Sequence, residues 1–231
     1  MVTNEQVNKV KKLVKPIYDQ VECWVHSWPH AERVSNYAKQ LAKLENINQN
    51  ICLVAAYCHD LGRLDKEKRK QEENQEFPHA LLSIEPTVKI LQQVGISGPD
   101  FAKIIEAIAI HSCKIYSGKN EVAKILQDAD KMNGFDGYGI LGCVRYFGGV
   151  DYIDPKEIIA NRKDNEKMKQ MCTETLKNLE GEELVKTLNG LDYLIEWWDM
   201  FHFEKSSHSM MKKHFKFLKK SRDLLANRQK H

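Results

Sequence analysis

The sequence has few of the residues that interrupt helices, because its 231 residues include only six prolines and twelve glycines. This composition leaves room for long uninterrupted helices. No stretch alternates apolar and polar residues with the period of two that a half-buried strand requires. The glycines between residues 134 and 149 have neither GxGxxG nor Walker spacing, so they do not form a known phosphate-binding loop. The sequence therefore predicts an all-α fold.

Other absences exclude whole classes of protein. The longest apolar run, Ile51–Cys58, has eight residues and is too short to cross a bilayer. Residues 1–11 are polar and lack the apolar region of a signal peptide. The six cysteines form no CxxC pair and lie mostly in apolar stretches, which favours reduced thiols over a zinc ribbon or a disulfide framework. We therefore expect a cytoplasmic protein with no membrane partner.

The charge balance gives little sign of a charged partner. The chain has 35 Lys and Arg against 32 Asp and Glu, a net charge of +3, and the excess is concentrated in the last twenty residues. This excess is too small to predict binding to nucleic acid. No repeat, low-complexity tract or linker divides the chain. We expect one domain over residues 1–231, with a functional core at about residues 25–150 and C-terminal helices 151–231 packed on it.

Local signals mark several helix ends. Thr3 and Gln6 have the spacing of a capping box, and apolar residues follow on one helical face. Pro16 is expected to kink or end this first helix. Pro99 is expected at the first position of a later helix, and Asp154 is expected to cap another. The apolar residues expected on the face of the first helix are Val7, Val10, Val14 and Ile17.

The chemically informative residues are metal-binding types near the buried faces or ends of helices. His59 follows Ala55 by four residues and is followed at once by Asp60, at the end of a very apolar segment. An imidazole and a carboxylate are costly to bury there unless they are paired or bind a metal. One such histidine is more often a hydrogen-bonded core residue, and we interpret His26 as a surface or packing residue. The prediction of a metal site rests on several such residues taken together, namely His30, His59, Asp60, His79, His111, Asp128 and Asp130.

The order of these residues resembles the H…HD…D pattern of the HD-domain superfamily of metal-dependent phosphohydrolases. Residues 30–34 resemble the family's H-x-x-R-V helix start, and residues 56–63 resemble its A-x-x-H-D-[IL]-G-[KR] segment. Residues 127–132 resemble the D-A-D-[KR]-L segment of a bacterial subgroup. The resemblance covers about residues 25–150 and implies a helical bundle that holds a divalent ion. The implied ligands are His30, His59, Asp60 and Asp130.

The number and identity of the ions stay open. His79 and His111 stand where several HD branches carry two further histidines, which bind a second metal bridged by the HD aspartate. The subgroup with the D-A-D segment usually lacks them. Asp128 is an alternative fourth ligand, and Asp130 is preferred only because residues 129–131 match the family's Ala-Asp-[KR] motif. Imidazole and carboxylate ligands suit Mn²⁺, Fe²⁺, Co²⁺, Mg²⁺ or Ni²⁺.

The resemblance also implies catalytic and substrate-binding residues. Asp60 and Lys131 are the expected catalytic residues, with Lys131 steadying a leaving phosphate. Arg33, Arg63 and Arg145 are expected to contact the substrate. Arg145 is preferred because an unpaired guanidinium would be expensive in the apolar, glycine-rich segment around it.

The expected function is hydrolysis of a phosphate ester or anhydride, in a small phosphorylated molecule such as a nucleotide. No nucleic-acid partner is expected, and a homodimer is left open. One alternative is a mixed-valent diiron oxygenase, because some HD proteins with the same six ligands cleave C–C or C–P bonds with oxygen. Another is a nucleotide-binding regulatory module whose metal is structural.

Overall fold

The computed structural model describes residues 1–21, 23–64, 78–114, 116–151 and 153–229. These residues form α-helices and short 3-10 helices and include no strand, so the all-α prediction is confirmed. The chain forms two compact units, Met1–Asp130 and Lys131–His231. The expectation of a single domain stays a prediction.

The first unit contains the helices that surround the predicted ligands. In chain order they are α1 (Asn4–Tyr18), α2 (Trp28–Leu44), α3 (Gln49–Cys58), α4 (Pro78–Leu82), α5 (Ile84–Gln93), α6 (Gly98–Ile110) and α7 (Glu121–Asn133). Two short 3-10 helices, Trp24–His26 and Leu61–Leu64, lie between them. The boundary between the two units falls within α7.

Helix α1 begins with the predicted capping box. The Thr3 hydroxyl accepts a hydrogen bond from the Gln6 backbone N–H, and the Gln6 side chain accepts one from the Thr3 N–H. The helix does not end at Pro16 but continues for two further residues to Tyr18. Its fourth buried side chain is consequently Tyr18 rather than the predicted Ile17.

Helix α3 lies at the centre of the first unit and packs against α1, α2 and α6. The eight residues Ile51–Cys58 are all buried. A helix that is apolar on every side is stable only when other helices cover all of its sides, which explains this central position. Because α3 ends at Cys58, the next two residues, His59 and Asp60, lie in the interior of the unit.

The second unit consists of α8 (Gly137–Tyr146), α9 (Pro155–Asn161), α10 (Asn165–Asn178), α11 (Gly181–Glu196) and α12 (Glu204–Gln229), with a 3-10 helix at Trp197–Met200. Asp154 caps α9 as predicted, and Asp164 caps α10 through the N–H groups of Glu166 and Lys167. Helix α11 packs against α12 and α8, and α10 packs against α8. In the described parts of the chain, no helix combines the length and the apolar character that a membrane span requires.

Candidate metal centre

Six of the predicted ligand residues converge within the first unit. They come from helices that are distant in the sequence, and two of them directly follow the last residue of a helix. His30 is the third residue of α2, His59 and Asp60 follow α3, His79 lies in α4, His111 follows α6, and Asp130 lies in α7. The tertiary fold therefore brings together ligands from widely separated parts of the chain, from His30 to Asp130.

One group of four ligand atoms has the spacing of a single ion site. His30 Nε2 lies 3.0 Å from His59 Nε2. Asp60 Oδ2 lies 3.5 Å from His30 Nε2 and 3.7 Å from His59 Nε2, and Asp130 Oδ1 lies 3.5 and 3.8 Å from the same two nitrogens. Two ligand atoms that each lie about 2.1 Å from one ion are roughly 3.0–3.4 Å apart at octahedral or tetrahedral angles. The spacing of the two histidine nitrogens, and of each carboxylate oxygen from both nitrogens, fits one divalent ion after small adjustments.

The other oxygen of the same aspartate faces a second pair of histidines. Asp60 Oδ1 lies 3.6 Å from His111 Nε2 and 3.8 Å from His79 Nε2. Among the described residues, neither Asp60 Oδ1 nor His111 Nε2 has a hydrogen-bond partner, although both atoms are buried. An unpaired buried carboxylate oxygen is costly, and a cation between these atoms would satisfy it. The donor set therefore fits a second ion bridged to the first by Asp60.

Two of the histidines are oriented by the ends of their own helices. His59 Nδ1 donates to the carbonyl of Ala56 at 2.8 Å, and His111 Nδ1 donates to the carbonyl of Ile108 at 2.7 Å. A carbonyl oxygen can only accept, so the neutral ring carries its proton on Nδ1. The lone pair of Nε2 is therefore directed into the cluster, as metal ligation requires.

The electrostatic environment favours the protonation states that bind metal. Burial lowers the pKa of His30 to about 4 and that of His79 to about 3, so both rings are neutral near pH 7. Burial would raise the pKa of Asp60, but Arg63 and His59 hold that pKa well below its ordinary range. Burial would likewise raise the pKa of Asp130, but His59 and His30 hold that pKa below its ordinary value. Neutral imidazoles and ionised carboxylates are the forms that coordinate divalent ions.

Arg63, predicted to contact the substrate, makes a direct contact with the carboxylate of Asp60. Its Nε donates to Asp60 Oδ2 at 2.8 Å, and its backbone N–H donates to the Asp60 carbonyl at 3.0 Å. The side-chain contact is a charge-assisted hydrogen bond, which orients the carboxylate as well as stabilising its charge. The structure thus gives Arg63 a role in holding Asp60 in place.

The two candidate aspartates of α7 have different surroundings. Asp130 Oδ1 belongs to the ligand cluster, whereas Asp128 is fully buried and is absent from the metal-binding groups found among the described residues. This placement favours Asp130. The Asp130 side chain is 32% exposed and that of His79 is 18% exposed, while the other four ligand side chains are almost completely buried. Solvent therefore reaches the cluster beside Asp130 and His79.

The remaining predicted residues have varied environments. The Arg33 guanidinium lies over the ring of Tyr37, 6.0 Å from its centroid. Lys131 directly follows Asp130 in α7 and is buried. Arg145 forms a 2.6 Å ion pair with Asp151, and its side chain is 39% exposed. The reason given for preferring Arg145 as a substrate contact does not hold, because Arg145 lies near solvent at the end of α8 and already has a carboxylate partner.

One residue beside the cluster was missed by the sequence analysis. The ring of His26 lies edge-on to that of His30, with the centroids 5.7 Å apart. Burial, followed by the charge of Arg63, lowers the pKa of His26 well below its ordinary value. Helical spacing could not have found it, because Ser27 between the 3-10 helix and α2 has extended backbone. The only sequence signal is its position four residues before His30.

Comparisons with known proteins agree with this architecture. The family model described as the HD domain matches residues 28–133. A protein of Lactobacillus plantarum, a structural-genomics target, superposes with a TM-score of 0.65 at 17% identity and covers 100% of this chain and 99% of its own. YpgQ of Bacillus subtilis, solved in complex with ADP, superposes with a TM-score of 0.60 at 19% identity, covering 96% of this chain and 95% of its own. At these identities the likeness concerns the fold alone. A search of curated proteins finds no match.

Proposed function

We propose that this chain is a metal-dependent phosphohydrolase of the HD superfamily with two divalent ions. The observation that carries the proposal is the placement of Asp60, whose two carboxylate oxygens face different pairs of histidines. The HD-domain match over residues 28–133 supports the same assignment. We assign one ion to His30, His59, Asp60 and Asp130, and the other to Asp60, His79 and His111.

The chemistry follows from what such a site supplies and from the groups around it. A divalent ion polarises a phosphoryl oxygen and lowers the pKa of water, and paired ions suit both the attacking and the leaving oxygen of a phosphoryl displacement. The chain keeps His30 and His79 neutral by burial, so these rings do not have to lose protons near pH 7. Arg63 keeps the Asp60 carboxylate ionised and oriented.

The exposure of the ligands indicates where a substrate enters. Asp130 and His79 are the most exposed of the six ligands, so a phosphate group would approach on their side. We propose Lys131, Arg33 and Arg145 as further phosphate contacts, with Lys131 placed next to Asp130 by its position in the chain. Cationic side chains of this kind offset charge that develops on the phosphoryl oxygens.

For the substrate class we propose nucleotides or related phosphorylated small molecules. The ADP bound in the similarly folded Bacillus subtilis YpgQ supports this choice by analogy of fold. We further propose a cytoplasmic enzyme that acts on small molecules rather than on nucleic acid, in keeping with the small net charge of +3. Assembly into a homodimer is a further part of the proposal.

The presence of His79 and His111 in the ligand cluster favours a second candidate function. His79 and His111 complete a six-ligand set, which also fits a mixed-valent diiron centre that cleaves a C–C or C–P bond with oxygen. The two functions differ in the metal that they need and in the product that they release. A regulatory module with a structural metal is less favoured, because structural sites are usually closed by their protein ligands.

Activity and metal content measured together test the proposal. The chain is purified without oxygen, its metals are counted, and phosphate and pyrophosphate release are measured on a panel of nucleotides and sugar phosphates with Mn²⁺, Co²⁺, Mg²⁺, Fe²⁺ or Ni²⁺. We expect turnover in the wild-type chain and its loss in His59→Ala, because His59 belongs to the four-atom group. Circular dichroism shows whether the variant keeps its helices.

Other results would favour the alternatives. Two irons per chain, a mixed-valent resonance and no phosphate release would replace the phosphohydrolase by the oxygenase. Nucleotides that raise the melting temperature without any turnover would favour the regulatory module. Undiminished turnover in a folded His59→Ala would contradict the metal centre itself.

A further inference from the structure

The backbone N–H of Asp60 has lost the acceptor that a continuing helix would provide. In an α-helix this N–H would bond to the carbonyl four residues earlier, that of Ala56. Here the Ala56 carbonyl accepts the Nδ1 proton of His59 at 2.8 Å, and α3 ends at Cys58. Because the helical hydrogen-bond pattern stops at the end of α3, the buried Asp60 amide needs another partner.

Tyr18 supplies that partner from a distant part of the chain. Its hydroxyl oxygen accepts the Asp60 N–H at 3.2 Å across 42 residues of sequence. Tyr18 is the last residue of α1 and is 1% exposed, and its ring packs at 6.2 Å from that of Trp28. It precedes residues 28–133, the segment that matches the HD-domain model.

We propose that Tyr18 is a positioning residue for the metal centre, which sets the Asp60 backbone so that both carboxylate oxygens face their histidines. This inference rests on the proposed metal-binding function. Asp60 is the one residue assigned to both ions, so a tilt of its peptide group would displace an oxygen from each ion position. Tyr18 acts through Asp60 and does not itself belong to the ligand groups.

The test compares two tyrosine variants that differ in this one hydrogen bond. Tyr18→Phe removes the hydroxyl and keeps the ring. Tyr57→Phe is the matched control, because Tyr57 is also buried and its ring stacks on the same Trp28 at 5.8 Å. Unlike the Tyr18 hydroxyl, which accepts the Asp60 N–H, the Tyr57 hydroxyl forms no hydrogen bond with the described residues. Both variants keep the aromatic packing around Trp28.

The readout is metal affinity rather than activity. Each folded protein is titrated with Co²⁺ and the visible absorption of the bound ion is followed. We expect Tyr18→Phe to bind Co²⁺ about 10–100-fold more weakly than the wild-type chain, the usual effect of losing a group that orients a ligand. Tyr57→Phe is expected to match the wild-type chain. Equal affinity in all three proteins would overturn the inference, whereas a wild-type chain that binds no ion would overturn the proposed function instead.

A measurement on the wild-type chain covers the case in which Tyr18→Phe does not fold. Hydrogen exchange of the Asp60 amide is followed by NMR in the metal-free protein. The inference predicts slow exchange before any ion is added, because Tyr18 already holds this amide. Fast exchange that becomes slow only on addition of Co²⁺ would show that the ion, and not Tyr18, orders the Asp60 backbone, and would overturn the inference.

Discussion

Ser83 connects the two halves of the metal centre, so its hydroxyl is a sensitive point for mutation. This fully buried hydroxyl accepts the N–H of Gly62 at 2.8 Å and donates to the carbonyl of His79 at 2.8 Å. Gly62 lies two residues after Asp60, while His79 belongs to the second ion position. The hydroxyl thus ties the turn that carries Asp60 to the helix that carries His79.

The substitution Ser83→Ala should affect stability and metal binding together. It leaves the buried Gly62 N–H without its acceptor, which costs about 1–3 kcal/mol, and it removes a second hydrogen bond worth roughly 1 kcal/mol. We therefore expect the free energy of unfolding in EDTA to fall by about 2–4 kcal/mol. Affinity for the ion assigned to Asp60, His79 and His111 should fall about 10–100-fold, because His79 loses its support. The ion position of His30, His59 and Asp130 should be affected less, since it loses only the support of the shared Asp60 turn and keeps its other three ligands.

Ser35→Ala is the matched control for this experiment. Ser35 is also fully buried and donates to a backbone carbonyl, that of Glu32, at 2.8 Å. This variant should lose about 1 kcal/mol of stability and keep the metal affinities of the wild-type chain. Urea denaturation measures the first quantity and Mn²⁺ titration the second. If Ser83→Ala and Ser35→Ala behave alike in both assays, the coupling between the Asp60 turn and His79 is refuted.

Two further predictions concern the same turn and its ligands. Gly62→Ala should destabilise the chain by about 3 kcal/mol or more, because the added Cβ would contact the His79 carbonyl and lie 2.6 Å from Leu82 Cβ and 2.7 Å from Ser83 N; an unchanged urea midpoint would contradict this steric account. The metal-free chain should lose stability as the pH falls from about 6.5 towards 4, because the pKa values of His30 (about 4) and His79 (about 3) lie below the ordinary value and the unfolded chain binds more protons in that range. This stability is fully present above pH 6.5, and each histidine adds a slope of about 1.4 kcal/mol per pH unit below it. Urea denaturation in EDTA from pH 4.5 to 8 measures the slope, and a flat profile would count against neutral buried rings.

Much of the candidate site could be predicted because its signals are local. His59 and His111 end strongly apolar helices, which is visible as an imidazole on a buried helical face. The ordered resemblance to the H…HD…D pattern then pointed to His30 and Asp130, and the structure brings these side chains together with His59. Spacing along one helix could not separate Asp128 from Asp130, since that choice depends on where α7 lies relative to α2 and α3.

Contacts that depend on the path of the chain at and beyond the ends of the helices could not be predicted. The substrate contact of Arg63 stays a prediction, and the structure adds a hydrogen bond from its Nε to the Asp60 carboxylate that the sequence analysis did not predict. Arg145 was preferred as a substrate contact for its apolar surroundings, yet it forms an ion pair with Asp151 and is partly exposed. His26 lies against His30 because a 3-10 helix and the extended residue Ser27 precede α2. Helical periodicity does not predict such a backbone conformation.

The sequence by itself determined the helical class, the capping of α1 and the kinds of ligand at the ends of apolar helices, since these depend on side-chain spacing and backbone chemistry over a few residues. Only the tertiary structure decided that Asp60 turns one oxygen to each pair of histidines, that Tyr18 of α1 accepts the Asp60 N–H, and that Ser83, just before α5, accepts the Gly62 N–H. The reason is physical: hydrogen bonds and ligand distances change over tenths of an ångström, and such precision arises only when helices from separate parts of the chain pack together.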